Sequence, residues 1–114
     1  MDTRITNVVR VFNRRSSYRW KNDRMMNEYF VQAALDDCYE SLKLKGYLFL
    51  NRVYLALGLP QTKEGQVAGW IYNKKFNNHI LWSIWHNNDD EVDVHITFEP
   101  MANILDALPS EGEL

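Results

Sequence analysis

The segment Tyr47–Tyr72 constrains the fold more than any other part of the chain, because it contains a helix, a stop signal and a strand in succession. Apolar residues at helical spacing predict a short helix around Leu50 to Leu57. Gly58 supplies the left-handed conformation that commonly ends helices, and Pro60 prevents the helix from continuing. The period then changes, and Val67–Tyr72 is predicted to begin a strand. A chain with this order belongs to a mixed α and β class.

A second, longer helix is predicted between Asp23 and Leu44. Its apolar residues recur at intervals of four, three and four, which places them on one face of a helix of about six turns. Gly46 ends this helix, and residues 45–48 are predicted to form a turn that leads into the shorter helix. The apolar stripe consists of Val31, Leu35, Cys38 and Leu42.

The last third of the chain is predicted to form strands. Residues 92–99 alternate strictly between apolar and polar side chains, which is typical of a strand with one buried face. The preceding run HILWSIW, residues 79–85, is separated from them by Asn87–Asp90, whose residue types favour hairpin turns. Together with Val67–Tyr72, where Gly69 indicates a bulge or a close backbone approach, these strands predict a three-stranded antiparallel meander.

Alternation also predicts which side chains lie on the outer face of this sheet. If Trp82 and Ile84 face the helices, Trp85 must lie outside together with His95 and Thr97. Either another segment of the chain covers the Trp85 indole, or the indole belongs to a partner surface. A helical stripe near the C-terminus, predicted to form a short helix, is one candidate cover. It consists of Met101, Ile104, Leu105 and Leu108.

The N-terminal segment Ile5–Trp20 has two interpretations. Its β-branched residues are typical of a strand, whereas Val8, Val11 and Phe12 also fit a helical stripe. We predict a short helix followed by a loop. The composition changes near residue 22, so the predicted organisation is a basic aromatic arm over 1–22, one domain over 23–108 and a flexible acidic tail over 109–114.

The net charge of −2 conceals an asymmetry along the chain. Residues 1–24 contain seven Arg or Lys and only two Asp, whereas residues 89–99 contain acidic side chains without basic neighbours. Two explanations remain open: the basic segment binds an anionic partner, or it lies across the acidic hairpin of the same protein.

No pattern of catalytic or metal-binding residues stands out. Cys38 is the single cysteine and lies on the apolar stripe of the long helix, so we expect it to pack in the core. The three histidines lack the spacing that pre-arranges metal ligands, and neither a nucleophile motif nor a phosphate-binding loop is present. We therefore predict a protein that is not an enzyme and that uses no cofactor or metal. Without a long apolar run or a signal peptide, we also expect a cytoplasmic protein outside the membrane.

The candidate binding residues combine arginine with aromatic side chains. Both types are enriched at protein interfaces, and both also bind nucleic acids, through phosphates and stacked bases. The negative net charge is unusual for a dedicated nucleic-acid binder, which favours a protein partner. The predicted partner-binding residues are Arg14, Arg15, Tyr18, Arg19, Trp20 and Trp85.

The run GYLFLNRVYLALGLPQTKEGQVAGWIY resembles an uncharacterised family of small domains from phages and prophages of Firmicutes. The resemblance covers roughly residues 28–98 and includes an aromatic-Leu-Asn segment, a helix ending in LGLP, a T-x-x-G turn and a Gly-Trp strand. It implies structural roles for six positions and transfers no catalytic residue. These positions are Asn51, Gly58, Pro60, Gly65, Gly69 and Trp70.

The resemblance implies a genomic setting and no particular reaction. Small acidic phage proteins commonly bind one host or phage protein, as modulators of host or defence proteins or as minor assembly factors. We therefore predict an α+β domain with two to three helices packed on a three-stranded meander, which acts by binding an unidentified host or phage protein. Nucleic-acid binding through the arm is the alternative, and homodimerisation through a sheet face or edge is a further possibility.

Overall fold

The long amphipathic segment forms helix α1 (Arg24–Lys45) in the computed structural model, which describes residues 6–72, 81–105 and 108. The side chain of Asp23 caps its first turn by accepting a hydrogen bond from the Met26 N–H at 3.0 Å. Gly46 ends the helix with a φ of 88° and donates its N–H to the Leu42 carbonyl. The predicted helix is confirmed. Its buried face contains one polar residue among four apolar ones: Asn27, Val31, Leu35, Cys38 and Leu42.

The helix predicted before the LGLP sequence is also confirmed, as α2 (Leu50–Leu57). Gly58 follows with a φ of 73°, the left-handed conformation expected of it. The segment before α2 differs from the prediction of a turn, because residues 47–49 form a short strand, β2 (Tyr47–Phe49). β2 pairs antiparallel with β3 (Gly69–Ile71), and Gly69 lies opposite Phe49. Residues 47–49 form a strand because they pair with β3, a distant segment that the local sequence pattern does not reveal.

The N-terminal segment contains a strand, β1 (Val8–Phe12), so the predicted helix is wrong. β1 pairs antiparallel with β5 (Val94–Phe98), with Arg10 opposite Ile96 on the inner face. The Arg10 guanidinium lies 4.3 Å from the centre of the Tyr54 ring and donates to the Pro60 carbonyl at 3.2 Å. This inward cation interrupts the apolar alternation and makes a strand hard to recognise from the sequence.

The hairpin before the C-terminus is confirmed. β4 (Trp82–Trp85) pairs antiparallel with β5 in the predicted register, with Ile84 opposite Ile96 and Trp85 opposite His95. Residues 86–93 connect the two strands. Ile84 and Ile96 therefore face the helices, and Trp85 lies on the outer face.

The predicted meander and C-terminal helix are not confirmed. The three-stranded sheet has the order β1-β5-β4. β1 therefore pairs with the edge of β5 that was unpaired in the predicted meander. β3 pairs with β2 in a separate two-stranded sheet. Residues 101–105 contain no α-helix. Met101 forms a β-bridge with Gly69, and the Ile104 N–H donates to the Val67 carbonyl at 2.8 Å. Three predicted features lie outside the described residues. They are the rest of the predicted C-terminal helix apart from Leu108, the tail 109–114, and His79 and Ile80 of the predicted strand.

The core lies between the three-stranded sheet and the two helices. Aromatic edges meet there, with the Tyr54 and Phe98 ring centres 5.7 Å apart and those of Trp70 and Trp82 5.3 Å apart. Among the six positions from the resemblance, Gly58 ends α2 and Trp70 is buried in the core, as expected. Asn51 donates to the Thr62 carbonyl and accepts from the Thr62 N–H, at 2.8 and 2.9 Å. The core side chains that α1 and α2 share with the sheet are Phe12, Val31, Leu35, Val53, Tyr54, Leu57, Val94, Ile96 and Phe98.

Candidate protein-interaction surface

The loop after β1 begins with a tight polar turn. The Asn13 side-chain oxygen accepts hydrogen bonds from the Arg15 and Ser16 N–H groups at 3.0 and 2.9 Å. The Ser16 hydroxyl in turn donates to the Val11 carbonyl at 2.6 Å. These bonds end β1 and leave the Arg14 and Arg15 side chains exposed. Neither arginine forms an ion pair with a carboxylate of the described residues.

Ser17 anchors the middle of this loop to the end of α2. Its hydroxyl is buried, donates to the Leu57 carbonyl at 2.7 Å and accepts from the Arg19 N–H at 3.1 Å. Gly58 lies so close that a β-carbon on it would approach Ser17 Oγ to 2.7 Å. The loop therefore has a defined path over the α2 terminus, although its sequence contains the charged and small residues typical of mobile loops.

Tyr18 and Arg19 project from this anchored loop. Tyr18 is 84% exposed, the second highest value among the large apolar side chains described. The Arg19 guanidinium lies 4.5 Å from the centre of the Phe30 ring on α1 and 6.0 Å from that of Tyr18. Phe30 itself packs on Phe12 of β1 at 5.5 Å between ring centres. Arg19 thus connects the exposed tyrosine to the helix and, through Phe30, to the core.

The first two turns of α1 continue this surface. Met25 and Tyr29 are 80% and 78% exposed, and Met26 is 53% exposed. They lie outside the buried stripe, and Met26 is one turn away from Phe30. The predicted binding residues do not include them, although three large apolar residues off the stripe are a signal visible in the sequence. We call the five side chains Tyr18, Arg19, Met25, Met26 and Tyr29 the Met-Tyr surface.

Trp20 has a structural role that its neighbours lack. Its ring is half-buried against the core, and Nε1 donates to the Asp93 carboxylate at 2.9 Å. Arg24 likewise donates to the Asn88 carbonyl at 2.8 Å and the Glu91 carbonyl at 3.3 Å. Part of the basic segment therefore lies against the acidic hairpin of the same molecule. Of the predicted binding residues, Arg14, Arg15, Tyr18 and Arg19 remain exposed in one loop.

Trp85 lies on a different face. It is 38% exposed on the outside of the sheet and stacks on His95, with ring centres 4.3 Å apart and an angle of 22° between the planes. Its Nε1 donates to the Thr97 hydroxyl at 3.0 Å. Trp85 is thus held by its own sheet neighbours, and the structure does not place it on the Met-Tyr surface.

Glu91 joins the hairpin turn to this outer face and predicts a pH dependence. A hydrogen bond from the Asn87 N–H at 2.7 Å, followed by one from His95 at 2.9 Å, holds the pKa of its carboxyl below the ordinary value. The carboxylate therefore stabilises the fold above the unfolded-state pKa, and this contribution is lost as the pH falls through the lower folded-state pKa.

We expect the variant Glu91→Gln to lose less stability than the wild type on acidification below about pH 4.5, because it has no carboxylate to protonate. Urea unfolding at a series of pH values measures the slope of the free energy of unfolding against pH. Asp89→Asn, which removes an exposed carboxylate from the same turn, serves as the control for the change in net charge. Equal slopes for E91Q and the wild type would contradict the assigned role.

The described residues contain no group of three or more His, Cys, Asp or Glu side chains that could hold a metal ion. Cys38 is buried on α1, as predicted, and its burial raises the pKa of the thiol above the ordinary value. A raised pKa disfavours the thiolate, the form required of a nucleophile. Over the described residues, no helix combines the length and apolar character needed to cross a bilayer.

These features define a small α+β domain in which several highly exposed apolar side chains lie beside the start of α1. The chain belongs to a family of proteins of unknown function (DUF6353), whose match extends over residues 2–108. Neither a curated protein nor a solved structure matches it. The expected relationship to an uncharacterised domain family is therefore confirmed.

Proposed function

We propose that this protein acts by non-enzymatic protein binding and that the Met-Tyr surface is its contact region. In the setting implied by the sequence resemblance, it is an accessory protein of a Firmicutes phage or prophage. There it binds a host or phage protein in the bacterial cytoplasm, as a modulator of a host or defence protein or as a minor assembly factor.

One observation carries this proposal: large apolar side chains remain exposed on an ordered part of the fold. Tyr18, Met25 and Tyr29 are each at least 78% exposed, although α1 and the anchored loop hold their backbones in place. An ordered surface loses little conformational entropy on binding, and tyrosine contributes a large contact area with few rotatable bonds. Methionine adds an adaptable contact that suits protein partners.

The charges around this surface favour protein over nucleic acid. Arg24 and Trp20 bind the hairpin that carries Asp89 and Asp90, so these exposed carboxylates belong to a segment that packs against the basic segment. A phosphate backbone would meet repulsion there, and its binding depends on an excess of cations that this protein lacks. A protein partner can match both signs of charge.

A capture experiment tests the proposed function. Tagged wild-type protein is incubated with lysate of a Firmicutes host, with and without nuclease treatment, in parallel with the variant Tyr18→Ser/Tyr29→Ser. We expect a stoichiometric protein partner that the variant loses, since two exposed aromatic anchors are removed. The control Leu44→Ser/Leu55→Ser removes exposed apolar side chains elsewhere and is expected to retain the partner.

Two results would contradict the proposal. Capture that all three proteins share would place the contact outside the Met-Tyr surface. Capture that nuclease abolishes, and that weakens steeply with salt, would support the alternative of nucleic-acid binding through Arg14, Arg15 and Arg19, because each neutralised phosphate releases counterions. The arginines and tyrosines are better test positions than Trp20, whose loss would also remove its bond to Asp93.

A further inference from the structure

The Met-Tyr surface has a basic edge and an acidic edge, which follows from the order of residues around α1. Successive residues of a helix are rotated by about 100°, so positions 24, 28, 25, 29, 26 and 30 follow one another around the axis. Arg24 and Glu28 face the hairpin, since Arg24 donates to the Asn88 carbonyl and Glu28 lies 3.1 Å from His86. Phe30 faces the loop, where Arg19 lies over its ring.

The exposed apolar side chains lie between these two edges. Met25, Tyr29 and Met26 occupy the intermediate arc of the helix. The hairpin edge carries exposed carboxylates at Glu28, Asp89 and Asp90, and the loop edge carries exposed cations. These cations are Arg14, Arg15, Arg19 and Lys21.

We propose that a second copy of this chain occupies the Met-Tyr surface, around a two-fold axis that runs in the plane of the interface along the apolar arc, between the two charged edges. Edges on either side of such an axis exchange across the interface, so each edge of one copy meets the opposite edge of the other. A surface with an apolar centre, one basic edge and one acidic edge is complementary to itself under this operation. The cations of one loop then face the carboxylates of the partner hairpin, twice per dimer, and the methionines and tyrosines pack at the centre.

This inference rests on the proposed function, because it names one partner of the same surface. The apolar arc spans only two helical turns, so the buried area is at the small end of specific interfaces. We therefore expect a concentration-dependent equilibrium between monomer and dimer. At low concentration the surface is open to another protein, and self-association competes with that partner.

Charge reversal on each edge tests the dimer. One variant carries Arg19→Glu and Lys21→Glu, and the other carries Asp89→Lys and Asp90→Lys. Either change places like charges opposite each other at both contacts of the dimer, so each variant alone is expected to dissociate at about tenfold higher concentration than the wild type or more. A control with Lys45→Glu and Lys63→Glu makes the same change in net charge as the first variant at positions away from the surface.

Mixing the two reversed variants provides the decisive measurement. In a two-fold heterodimer, the new acidic edge faces the new basic edge, and the original acidic edge faces the original basic one. Sedimentation velocity should therefore show a dimer restored in the equimolar mixture. Because a misfolded variant would not recover on mixing, restoration also shows that both variants fold. Circular dichroism of each variant provides an independent check.

Three outcomes would overturn the dimer: a wild type that stays monomeric at the highest concentration, a dimer insensitive to both reversals, or a mixture that remains monomeric. The capture experiment separates this failure from that of the proposed function. If the chain is monomeric but captures a partner through Tyr18 and Tyr29, only the dimer proposal fails. If the chain is monomeric and captures no such partner, both proposals fail.

Discussion

Replacing Gly69 with alanine is expected to destabilise the fold by about 3 kcal/mol or more, which is at or above the upper end of the usual range for a single substitution. A β-carbon at this position would lie 2.1 Å from the Leu48 carbonyl oxygen and 3.0 Å from the Leu48 carbonyl carbon and the Phe49 Cα. All three atoms belong to the backbone of β2, so no side chain can move aside. The pairing of β2 with β3 must separate to accept the methyl group. Urea unfolding followed by tryptophan fluorescence measures the loss.

Ser83→Ala is the matched control for this prediction. Ser83 lies on an exposed position of β4, opposite Thr97, and its change is expected to alter the free energy of unfolding by no more than about 0.5 kcal/mol. A Gly69→Ala protein with the stability of this control would show that β2 and β3 are further apart than the structure places them.

Replacing Asn27 with leucine is expected to reduce the free energy of unfolding by about 3 kcal/mol, since three partly buried backbone groups lose their partner. Asn27 is 1% exposed. Its side-chain oxygen accepts from the Lys21 N–H at 2.8 Å, and its amide donates to the Lys21 and Val92 carbonyls at 2.6 and 3.1 Å. Leucine has the same branched side-chain shape but can form none of these bonds.

Gln32→Leu is the control, because Gln32 lies on the exposed face of the same helix. It is expected to change stability by no more than about 0.5 kcal/mol. Hydrogen exchange adds a local readout: the Lys21 N–H should exchange faster in the Asn27 variant than in the Gln32 control. A stable variant with a protected Lys21 N–H would be inconsistent with the network.

The Asn27 network also holds the two edges of the Met-Tyr surface in position. One side-chain amide joins the loop at Lys21 and the hairpin at Val92 to the first turn of α1. The basic and acidic edges are therefore tied to the same helix turn that presents Met25 and Met26. Stability and the spacing of the charges depend on the same buried polar group, so milder substitutions at Asn27 are expected to weaken the proposed dimer as well.

Local patterns in the sequence predicted the elements whose neighbours lie close along the chain. α1 and α2 are recognisable from their apolar spacing and from the glycines that end them, since 3.6-residue periodicity and left-handed caps act within a few residues. The hairpin of β4 and β5 is recognisable for the same reason, because alternation and turn residues occur within one stretch. The outward position of Trp85 follows directly from that register.

Long-range pairing was invisible in the same patterns. β1 pairs with β5, which lies far from it in the sequence. The inward Arg10 of β1 is accommodated by its contacts with Tyr54 and the Pro60 carbonyl, which come from a third part of the chain. β2 was predicted as a turn because three residues have too little periodicity to indicate a strand without their partner β3. Both errors arise where tertiary contacts override a weak local preference.

For the binding surface, the order of residues is enough to show that arginines and aromatic residues are concentrated between residues 10 and 24. Their individual roles follow from the tertiary structure. It turned Trp20 toward Asp93 and left Tyr18 exposed beside Arg19. It also brought the acidic hairpin to the first turn of α1, with Met25 and Tyr29 exposed on that helix. Residue types and local periods are encoded along the chain, whereas exposure and opposed charges depend on which distant segments pack together.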